Sequence, residues 1–258
     1  MNHRPRKRFG QHFLTAPETI DRIVAAIAPA EGETIVEIGP GQAAITEPLA
    51  RLATRLHAIE FDRDLARSLR ERFAACENVT IHEADALKFD FSTLGRDLRL
   101  VGNLPYNIST PLLFHLLAFR EQVTDMHFML QKEVVDRICA APGSRDFGRL
   151  TVMLGCHIEA VPLFDVPPSA FSPPPRVTST VVRMRPLAPG HYDLRNDAAL
   201  DAVVRLAFSR RRKTLRNAVA GLAESADIEA VGLDPGARPE QVAIEDWVAL
   251  ANRLSLNG

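Results

Sequence analysis

The strongest constraint on the fold is a recurring pattern in which a short apolar segment ends at a residue suited to binding a ligand. These segments, which predict strands, occupy residues 34–38, 55–59, 79–83 and 98–101. The residues that follow them are Gly39, Glu60, Asp85 and Asn103. Because helices are predicted between the strands, the sheet should be parallel, and all four residues should meet at its carboxyl edge. The pattern therefore predicts an α/β fold with a nucleotide-like ligand at this edge.

The first three strand ends have residues expected around such a ligand. Gly39-Pro40-Gly41 predicts a glycine-rich turn, through which the backbone can approach a ligand closely. Glu60 follows about 20 residues later, at the spacing from which a carboxylate holds ribose hydroxyls. Asp85 can accept from an adenine amine, and the small Ala86 beside it leaves room for a flat ring. Each acid also has an ordinary interpretation, a solvated strand end for Glu60 and a turn or helix cap for Asp85.

The fourth strand leads into Asn103-Leu104-Pro105-Tyr106, a sequence suited to holding a flat polar ring. The Asn103 side chain offers an acceptor and a donor, and Tyr106 offers a ring for stacking. Pro105 can stiffen the bend and turn the Leu104 carbonyl outward. Two acceptors that hold both hydrogens of an adenine amine localise its lone pair and stabilise the charge that develops as a methyl group arrives. The sequence thus indicates methylation of an exocyclic amine, although an ordinary Asn-Pro-type turn has a similar composition.

Further strands are predicted at residues 126–130, 158–166 and 177–184. The segment 167–175, which is rich in proline, predicts a stiff loop. We expect this loop to hold Phe171 beside the same sheet edge, so that a base is sandwiched between Phe171 and Tyr106. The alternative is that the prolines form only a linker.

The chain begins with a basic arm, which an apolar segment follows. The arm contains Arg6, Lys7 and Arg8, and taken alone its ordinary interpretation is a disordered charged terminus. The segment 9–14 is too apolar to stay free in solvent, and Gln11 within it can make a bidentate contact. We expect this segment to lie across the ligand, ahead of a helix with Pro17 in its first turn.

The segment 186–190, with two prolines and a glycine, predicts a domain boundary. We therefore expect a larger α/β domain at residues 1–187 and a small helical domain at residues 188–258. Helices in the small domain are predicted at 198–208, 213–222 and 244–254. The same part of the chain carries a basic run that either forms a solvated helix face or contacts RNA phosphates. The run consists of Arg210, Arg211, Arg212, Lys213 and Arg216.

Composition excludes several other classes of protein. The 258 residues carry 31 Lys and Arg against 32 Asp and Glu, so that any nucleic-acid surface must be local. No apolar run is long enough to span a bilayer, and the N-terminus lacks a signal-peptide core, so we expect a cytoplasmic protein with no membrane partner. Three scattered cysteines indicate neither a disulfide framework nor a metal site. We expect no metal and a monomer.

Taken together, these motifs resemble those of the small-subunit ribosomal RNA adenine dimethyltransferases. The matching residues are 9–14, 37–41, Glu60, Asp85, 103–106, 167–179 and 211–217. The resemblance covers residues 8–254. It implies a Rossmann-like, seven-stranded methyltransferase domain with a small all-helical C-terminal domain, and S-adenosylmethionine as methyl donor.

The implied substrate is a pair of adjacent adenosines in a hairpin loop near the 3′ end of 16S rRNA, within the immature 30S particle. Each adenosine would be dimethylated on its exocyclic amine, and a role in ribosome biogenesis would follow. The cofactor contacts implied by the resemblance are His12, Leu14, Gly39, Glu60, Asp85 and Asn103. The implied contacts of the target base are Asn103, Leu104 and Tyr106, with Phe171 as a second stacking face. With such a substrate, we assign RNA-backbone contacts to Arg6, Lys7 and Arg8 of the arm and to the basic run.

Two departures from the family pattern stand out. Ala43 replaces the usual third glycine, and we expect its methyl group to crowd the methionine end of the cofactor slightly. The near-neutral charge is also less basic than is typical of this group. Three alternative functions remain open: a resistance-type large-subunit rRNA methyltransferase, a DNA or protein-glutamine amide methyltransferase, and a non-catalytic ribosome-assembly factor. Leu104 argues against the second, which more often has Asn-Pro-Pro-Tyr.

Overall fold

The computed structural model describes residues 12–255, which contain nine strands and ten α-helices. The strands are β1 (Phe13–Leu14), β2 (Thr34–Ile38), β3 (Arg55–Glu60), β4 (Val79–Glu83), β5 (Leu98–Asn103), β6 (Val123–Gln131), β7 (Ile158–Val166), β8 (Phe171–Ser172) and β9 (Ser179–Pro186). The helices are α1 (Pro17–Ile27), α2 (Thr46–Leu52), α3 (Arg63–Arg72), α4 (Ser109–Leu117), α5 (Lys132–Ile138), α6 (Arg149–Gly155), α7 (Asp197–Ser209), α8 (Leu215–Ala218), α9 (Ser225–Ala230) and α10 (Ile244–Ser255).

Seven of the strands form one sheet in the order β4-β3-β2-β5-β6-β9-β7. Strands β2 to β6 pair in parallel, and β9 joins β6 in the antiparallel direction. After β2 the chain builds outward through β3 and β4, and it then returns to place β5 on the other side of β2. Ligands of such sheets bind at this reversal, outside the carboxyl ends of the two central strands. The predicted α/β fold with a seven-stranded sheet is confirmed.

The core on one face of this sheet explains why α1 forms. Its isoleucines recur at helical spacing, and Pro17 occupies the first turn, where a missing N–H costs nothing. Ile23 and Ile27 are buried in a cluster with Ile35 and Leu56 from the central strands. The helix is therefore held by its apolar face, as the periodicity predicts.

Close approach of the two central strands depends on Gly102. A Cβ atom at this position would overlap the carbonyl oxygen of Ile38 on β2. The absence of a side chain thus lets the ends of β2 and β5 come together, which brings the turn after β2 near the residues after β5.

A second, two-stranded sheet joins distant parts of the chain. Strands β1 and β8 pair antiparallel, with Leu14 opposite Phe171. The amides of Thr15 and Ala16 both donate to the carbonyl of Ala170, at 2.8 and 3.3 Å. The segment that carries His12 is thereby fixed to the proline-rich loop.

The chain divides into two compact units, one with residues 12–135 and 161–186, the other with residues 136–160 and 187–255. In the second unit, Trp247 of α10 and Phe147 are fully buried, and Phe208 of α7 lies between them with ring centroids 5.8 and 6.3 Å away. Residues 136–160 pack with the C-terminal helices of the second unit, through α6 against α7 and α10. The division into domains at residues 187 and 188 stays a prediction.

Two local expectations are wrong. The helix predicted at 213–222 is reduced to α8, because the amides of Leu215 and Arg216 donate to carbonyls of another loop instead of continuing a helix from the preceding turn. The basic run before α8 lies in that turn. Ala43 does not line the cavity at the carboxyl edge of the sheet; it is fully buried against Leu69 of α3 and Phe73, the residue after α3. Its methyl group therefore adds to the core and does not crowd a cofactor, at the cost of a left-handed backbone with φ of 70°.

Candidate active site

A cavity of about 280 Å³ lies at the carboxyl ends of β2, β3, β4 and β5. It contains the turn after β2, the residues that end β3 and β5, and the segment after β4. Most of the predicted site residues line it together: His12, Leu14, Gly39, Gly41, Glu60, Asp85, Ala86, Asn103, Leu104, Pro105 and Tyr106. Four predicted residues, Arg6, Lys7, Arg8 and Gln11, lie outside the described part of the chain.

Glu60 ties the glycine-rich turn to the end of β3. One carboxylate oxygen accepts from the Gly41 amide at 3.1 Å, and the other accepts from the Asp62 amide at 2.8 Å. Burial raises the pKa of Glu60 above its ordinary value, although these backbone hydrogen bonds lower it. Because a carboxylate has about four acceptor positions, Glu60 can still accept from ligand hydroxyls. The buried position excludes the alternative of a solvated strand end.

Asp85 combines both of the roles considered for it. One of its carboxylate oxygens accepts from the Leu87 amide at 3.0 Å, which makes it the cap of a tight turn. Among the described residues, the other oxygen has no hydrogen-bond donor. Asp85 lines the cavity between Ala84 and Ala86, so this second oxygen is available to a ligand amine.

The turn after β2 owes its path to Gly41, which has a φ of 56°. A Cβ atom there would lie 3.2 Å from the ring of Phe13, which also lines the cavity. A side chain at this position would therefore strain the backbone and press on β1.

Asn103 has a defined orientation. Its side-chain amide donates to the carbonyl oxygen of His12 at 3.1 Å. Since a backbone carbonyl only accepts, the atom facing His12 must be Nδ2. The other atom of the amide, Oδ1, is consequently presented as an acceptor.

The residues after Asn103 are held by contacts on several sides. The Leu104 side chain is buried, and its amide donates to the carbonyl of Met129 on β6 at 3.2 Å. The Tyr106 ring stacks on the His12 ring, with centroids 5.9 Å apart and an angle of 29° between the planes. The Tyr106 hydroxyl is hydrogen bonded to that of Ser179 at 2.8 Å. An aromatic platform is thus fixed beside the Asn103 acceptor.

The predicted position of Phe171 is wrong. Phe171 is only 4% exposed, does not line the cavity, and belongs to the core cluster that contains Leu14. The reason is the pairing of β8 with β1, which turns the ring into the core. A sandwich of a base between Phe171 and Tyr106 is incompatible with this arrangement.

Among the cavity residues that the sequence prediction did not include, a buried acid and an exposed aromatic residue are notable. Glu37 on β2 lines the cavity and is 2% exposed; burial raises its pKa to about 7, with a smaller contribution from the charge of Glu60. Phe61 lines the cavity with 60% of its surface exposed. The available signals were an acid inside an otherwise apolar strand, and an aromatic residue directly after the strand-end acid.

The basic run consists of two kinds of residue. Arg211 is anchored within its own unit, with a hydrogen bond of 3.2 Å to the Ser144 carbonyl and a distance of 3.5 Å to the Glu240 carboxylate. The other members of the run, Arg210, Arg212, Lys213 and Arg216, are exposed.

Two other loops lie beside this run and are joined by backbone hydrogen bonds. The Arg216 amide donates to the carbonyl of Pro235 at 3.1 Å, and the Gly143 amide joins the two other loops by donating to the carbonyl of Glu240 at 2.6 Å. These loops carry two more exposed arginines, which the sequence prediction missed because they are distant in the chain. We name as the basic surface the exposed residues Arg145, Arg210, Arg212, Lys213, Arg216 and Arg238.

Two other kinds of site are absent from residues 12–255. No group of three or more His, Cys, Asp or Glu side chains there is arranged to hold a metal ion. None of the helices described above is both long and apolar enough to cross a membrane.

Similarity to known proteins extends over almost all of the chain. Residues 2–256 match the model of a family described as ribosomal RNA adenine dimethylase. The chain is 55% identical over 253 residues to the ribosomal RNA small subunit methyltransferase A of Aromatoleum aromaticum, covering 98% of this chain and 95% of the relative. It is 52% identical over 261 residues to the protein of the same name in Vibrio cholerae, with coverage of 98% and 95%.

Two solved structures have a similar fold. A dimethyladenosine transferase from Plasmodium falciparum has a TM-score of 0.81 at 27% identity, covering 93% of this chain and 96% of that chain. The 23S rRNA methyltransferase ErmE has a TM-score of 0.73, also at 27% identity, covering 94% and 99%.

Proposed function

The chain belongs to the family of ribosomal RNA adenine dimethylases, and we propose that it dimethylates two adjacent adenosines near the 3′ end of small-subunit rRNA. The observation that carries the proposal is the geometry at the end of β5. There the Asn103 amide is oriented by the His12 carbonyl, with its acceptor oxygen beside the Tyr106 ring, in a cavity that also contains Glu60 and Asp85.

The cavity fits S-adenosylmethionine as methyl donor. Glu60 has acceptor positions for ribose hydroxyls, and Asp85 has a carboxylate oxygen for the adenine amine. The exposed ring of Phe61 and the small Ala86 offer a slot for a flat ring. The donor carries an ammonium and a sulfonium group, and the described residues that line the cavity include acids but no Lys or Arg. When bound, it supplies a methyl group that is activated by the sulfonium charge.

In the proposed reaction, the target adenine leaves its loop and stacks on Tyr106. Its exocyclic amine donates to Asn103 Oδ1 and to the Leu104 carbonyl, which Pro105 holds in place. Both acceptors would stabilise the positive charge that develops on the nitrogen as it bonds to the methyl carbon, while the methyl–sulfur bond of the donor breaks and S-adenosylhomocysteine leaves as a neutral thioether. The methylated amine is strongly acidic, so its proton can leave to water without a side-chain base. The cost of extruding the base is small when it comes from a loop.

We assign RNA backbone contacts to the basic surface and to Arg6, Lys7 and Arg8 of the N-terminal arm. Exposed cations on α8 and the loops beside it suit phosphates, which bind through charge and not through sequence. The proposed partner is the immature 30S particle, because the relatives are named for the small ribosomal subunit. Action on a particle that is still being assembled would give the protein a role in ribosome biogenesis.

A large-subunit rRNA methyltransferase is the second candidate, because ErmE shares the fold over 94% of this chain. One observation favours the small subunit. Identity to ErmE is 27%, whereas identity to proteins named small subunit methyltransferase A reaches 55%.

The function is tested by incubating immature small subunits with S-adenosylmethionine that carries a labelled methyl group, and then mapping the modified nucleotides. We expect label on two adjacent adenosines near the 3′ end of the small-subunit rRNA, each with two methyl groups. Immature large subunits serve as the matched control. Label on large-subunit rRNA would support the second candidate, and binding to small subunits without label would indicate an assembly factor.

A further inference from the structure

Tyr106 has a buried anchor that lies outside the Asn103–Tyr106 motif. The anchor is Ser179, whose hydroxyl lies 2.8 Å from that of Tyr106 and which is fully buried as the first residue of β9. Pairing with Gln131 on β6 fixes its backbone, and Lys132 donates to the neighbouring Thr178 carbonyl at 3.0 Å. The tip of the Tyr106 ring is therefore attached to the rigid sheet.

We propose that Ser179 is a positioning residue, which holds the Tyr106 ring at the place where the target adenine stacks and so supports the second methyl transfer more than the first. This inference rests on the proposed function. It assigns to the start of β9 a part in the outcome of the reaction, although Ser179 itself does not line the cavity.

Three contacts restrict the motion of Tyr106. The Ser109 hydroxyl donates to the Tyr106 carbonyl at 3.1 Å and holds the backbone. The His12 ring covers one face of the tyrosine ring. Ser179 holds the hydroxyl at the far end, which fixes the direction of the ring axis, and the stacked His12 ring restricts rotation of the ring plane about that axis. Burial raises the pKa of Tyr106, so the pair stays neutral near pH 7.

The two methyl transfers depend on this platform to different degrees. An unmodified adenine can donate two amine hydrogens to Asn103 Oδ1 and the Leu104 carbonyl. A monomethylated adenine has only one hydrogen left, so stacking supplies a larger share of what holds it. A loosened Tyr106 ring should consequently slow the second transfer more than the first.

The test uses single-turnover rate constants for the two transfers, measured separately on unmodified and on monomethylated small subunits. Ser179→Ala, Tyr106→Phe and the double variant are compared with wild type. Loss of one neutral hydrogen bond should slow the second transfer roughly 2- to 10-fold. The first transfer should change less. Because both single variants remove the same hydrogen bond, the double variant should be no slower than the slower single one.

Thr180→Val is the matched control. Thr180 is the next residue of β9 and is also buried, and its hydroxyl donates to Asp165 at 2.6 Å. Removing this hydroxyl should leave the ratio of the two rate constants unchanged. A purely structural role of Ser179 would lower the melting temperature and slow both transfers in proportion.

The possible outcomes are distinct. Effects of Ser179→Ala and Tyr106→Phe that multiply in the double variant would overturn the inference, as would a proportional loss of both transfers or no loss at all. If wild-type protein transfers no methyl group to small subunits, the proposed function fails. If the wild type is active and the variants show no shared effect on the second step, only the role of Ser179 fails.

Discussion

The side-chain amide of Asn103 leads to a prediction that separates binding from chemistry. Its Nδ2 is engaged by the His12 carbonyl, so removing the side chain removes the acceptor for the target amine but leaves Glu60 and Asp85 in the cavity. We expect Asn103→Ala to keep the affinity for S-adenosylmethionine within about an order of magnitude and to abolish most methyl transfer. Calorimetric titration and a methylation assay on the same preparation test this. An equal loss of affinity and rate would show that Asn103 serves mainly the cofactor.

Glu37 leads to a prediction about pH. Its pKa rises from 4.5 to about 7 on burial, so the folded chain binds a proton more tightly than the unfolded chain does. The free energy of unfolding should therefore fall as pH rises from 4.5 to 7, and the cost of ionising this group, on the order of 3 kcal/mol, should be complete above pH 7.

Glu37→Gln removes the ionisable group and nearly preserves the shape. Without cofactor, we expect this variant to be more stable than wild type at pH 8, with a smaller difference or none at pH 5. Denaturant unfolding at several pH values measures the effect. Stability curves that run parallel for the two proteins would contradict the assignment of the pKa to Glu37.

Helix α1 and strands β5 and β6 are joined at the amino edge of the sheet by Arg99. All five of its N–H groups have acceptors: two oxygens of Asp125, one of Glu33, and the carbonyls of Ile27 and Ala28 at the end of α1. Burial raises the pKa of Asp125, but hydrogen bonds from its neighbours outweigh this and lower it to about 2. Arg99 thus caps the helix and neutralises a buried acid at the same time.

Arg99→Met should destabilise the protein by about 3–5 kcal/mol, because it leaves the Asp125 charge buried without its main partner. The double variant Arg99→Met, Asp125→Leu should lose less free energy of unfolding than the sum of the losses in the two single variants. Denaturant unfolding of the four proteins measures this coupling. If the losses in free energy of unfolding were additive, the ion pair between Arg99 and Asp125 would contribute little to stability. For wild type, the stability that Asp125 provides should be lost only as pH falls from 3.8 toward 2.

Elements defined by local pattern were predictable from the sequence. The strands at 34–38 and 158–166 have the predicted bounds, because their apolar runs end at residues that cannot continue a strand. A parallel sheet brings the carboxyl ends of its strands to one edge. The cavity there is therefore lined by the glycine-rich turn after β2, Glu60, Asp85 and Asn103. Each of these inferences needed only the order of strands and helices.

Features that depend on distant contacts were not predictable. The burial of Phe171 follows from the pairing of β1 with β8, which are more than 150 residues apart in the chain. The anchoring of Arg211 depends on the Ser144 loop, and the burial of Ala43 depends on α3. Periodicity carries no information about such partners.

The charge of the chain is balanced overall and uneven locally. Acidic and basic side chains number 32 and 31, yet the basic surface places six exposed cations on α8 and three adjoining loops. Backbone hydrogen bonds join α8 to one of these loops and that loop to another. A chain with no net positive charge can therefore still offer phosphates a local site.

Salt dependence tests this surface directly. Arg212→Gln with Lys213→Gln should weaken binding to immature small subunits and lower the slope of log affinity against log salt by roughly 1 to 2, since each phosphate contact contributes about 0.7 to 0.9. Arg51→Gln with Arg67→Gln, a pair of exposed arginines on α2 and α3, removes the same charge and should leave the slope unchanged. Filter binding at several salt concentrations measures both variants. Equal slopes for the two double variants would mean that the loss of affinity for small subunits reflects net charge alone. The basic surface would then have no specific part in RNA binding.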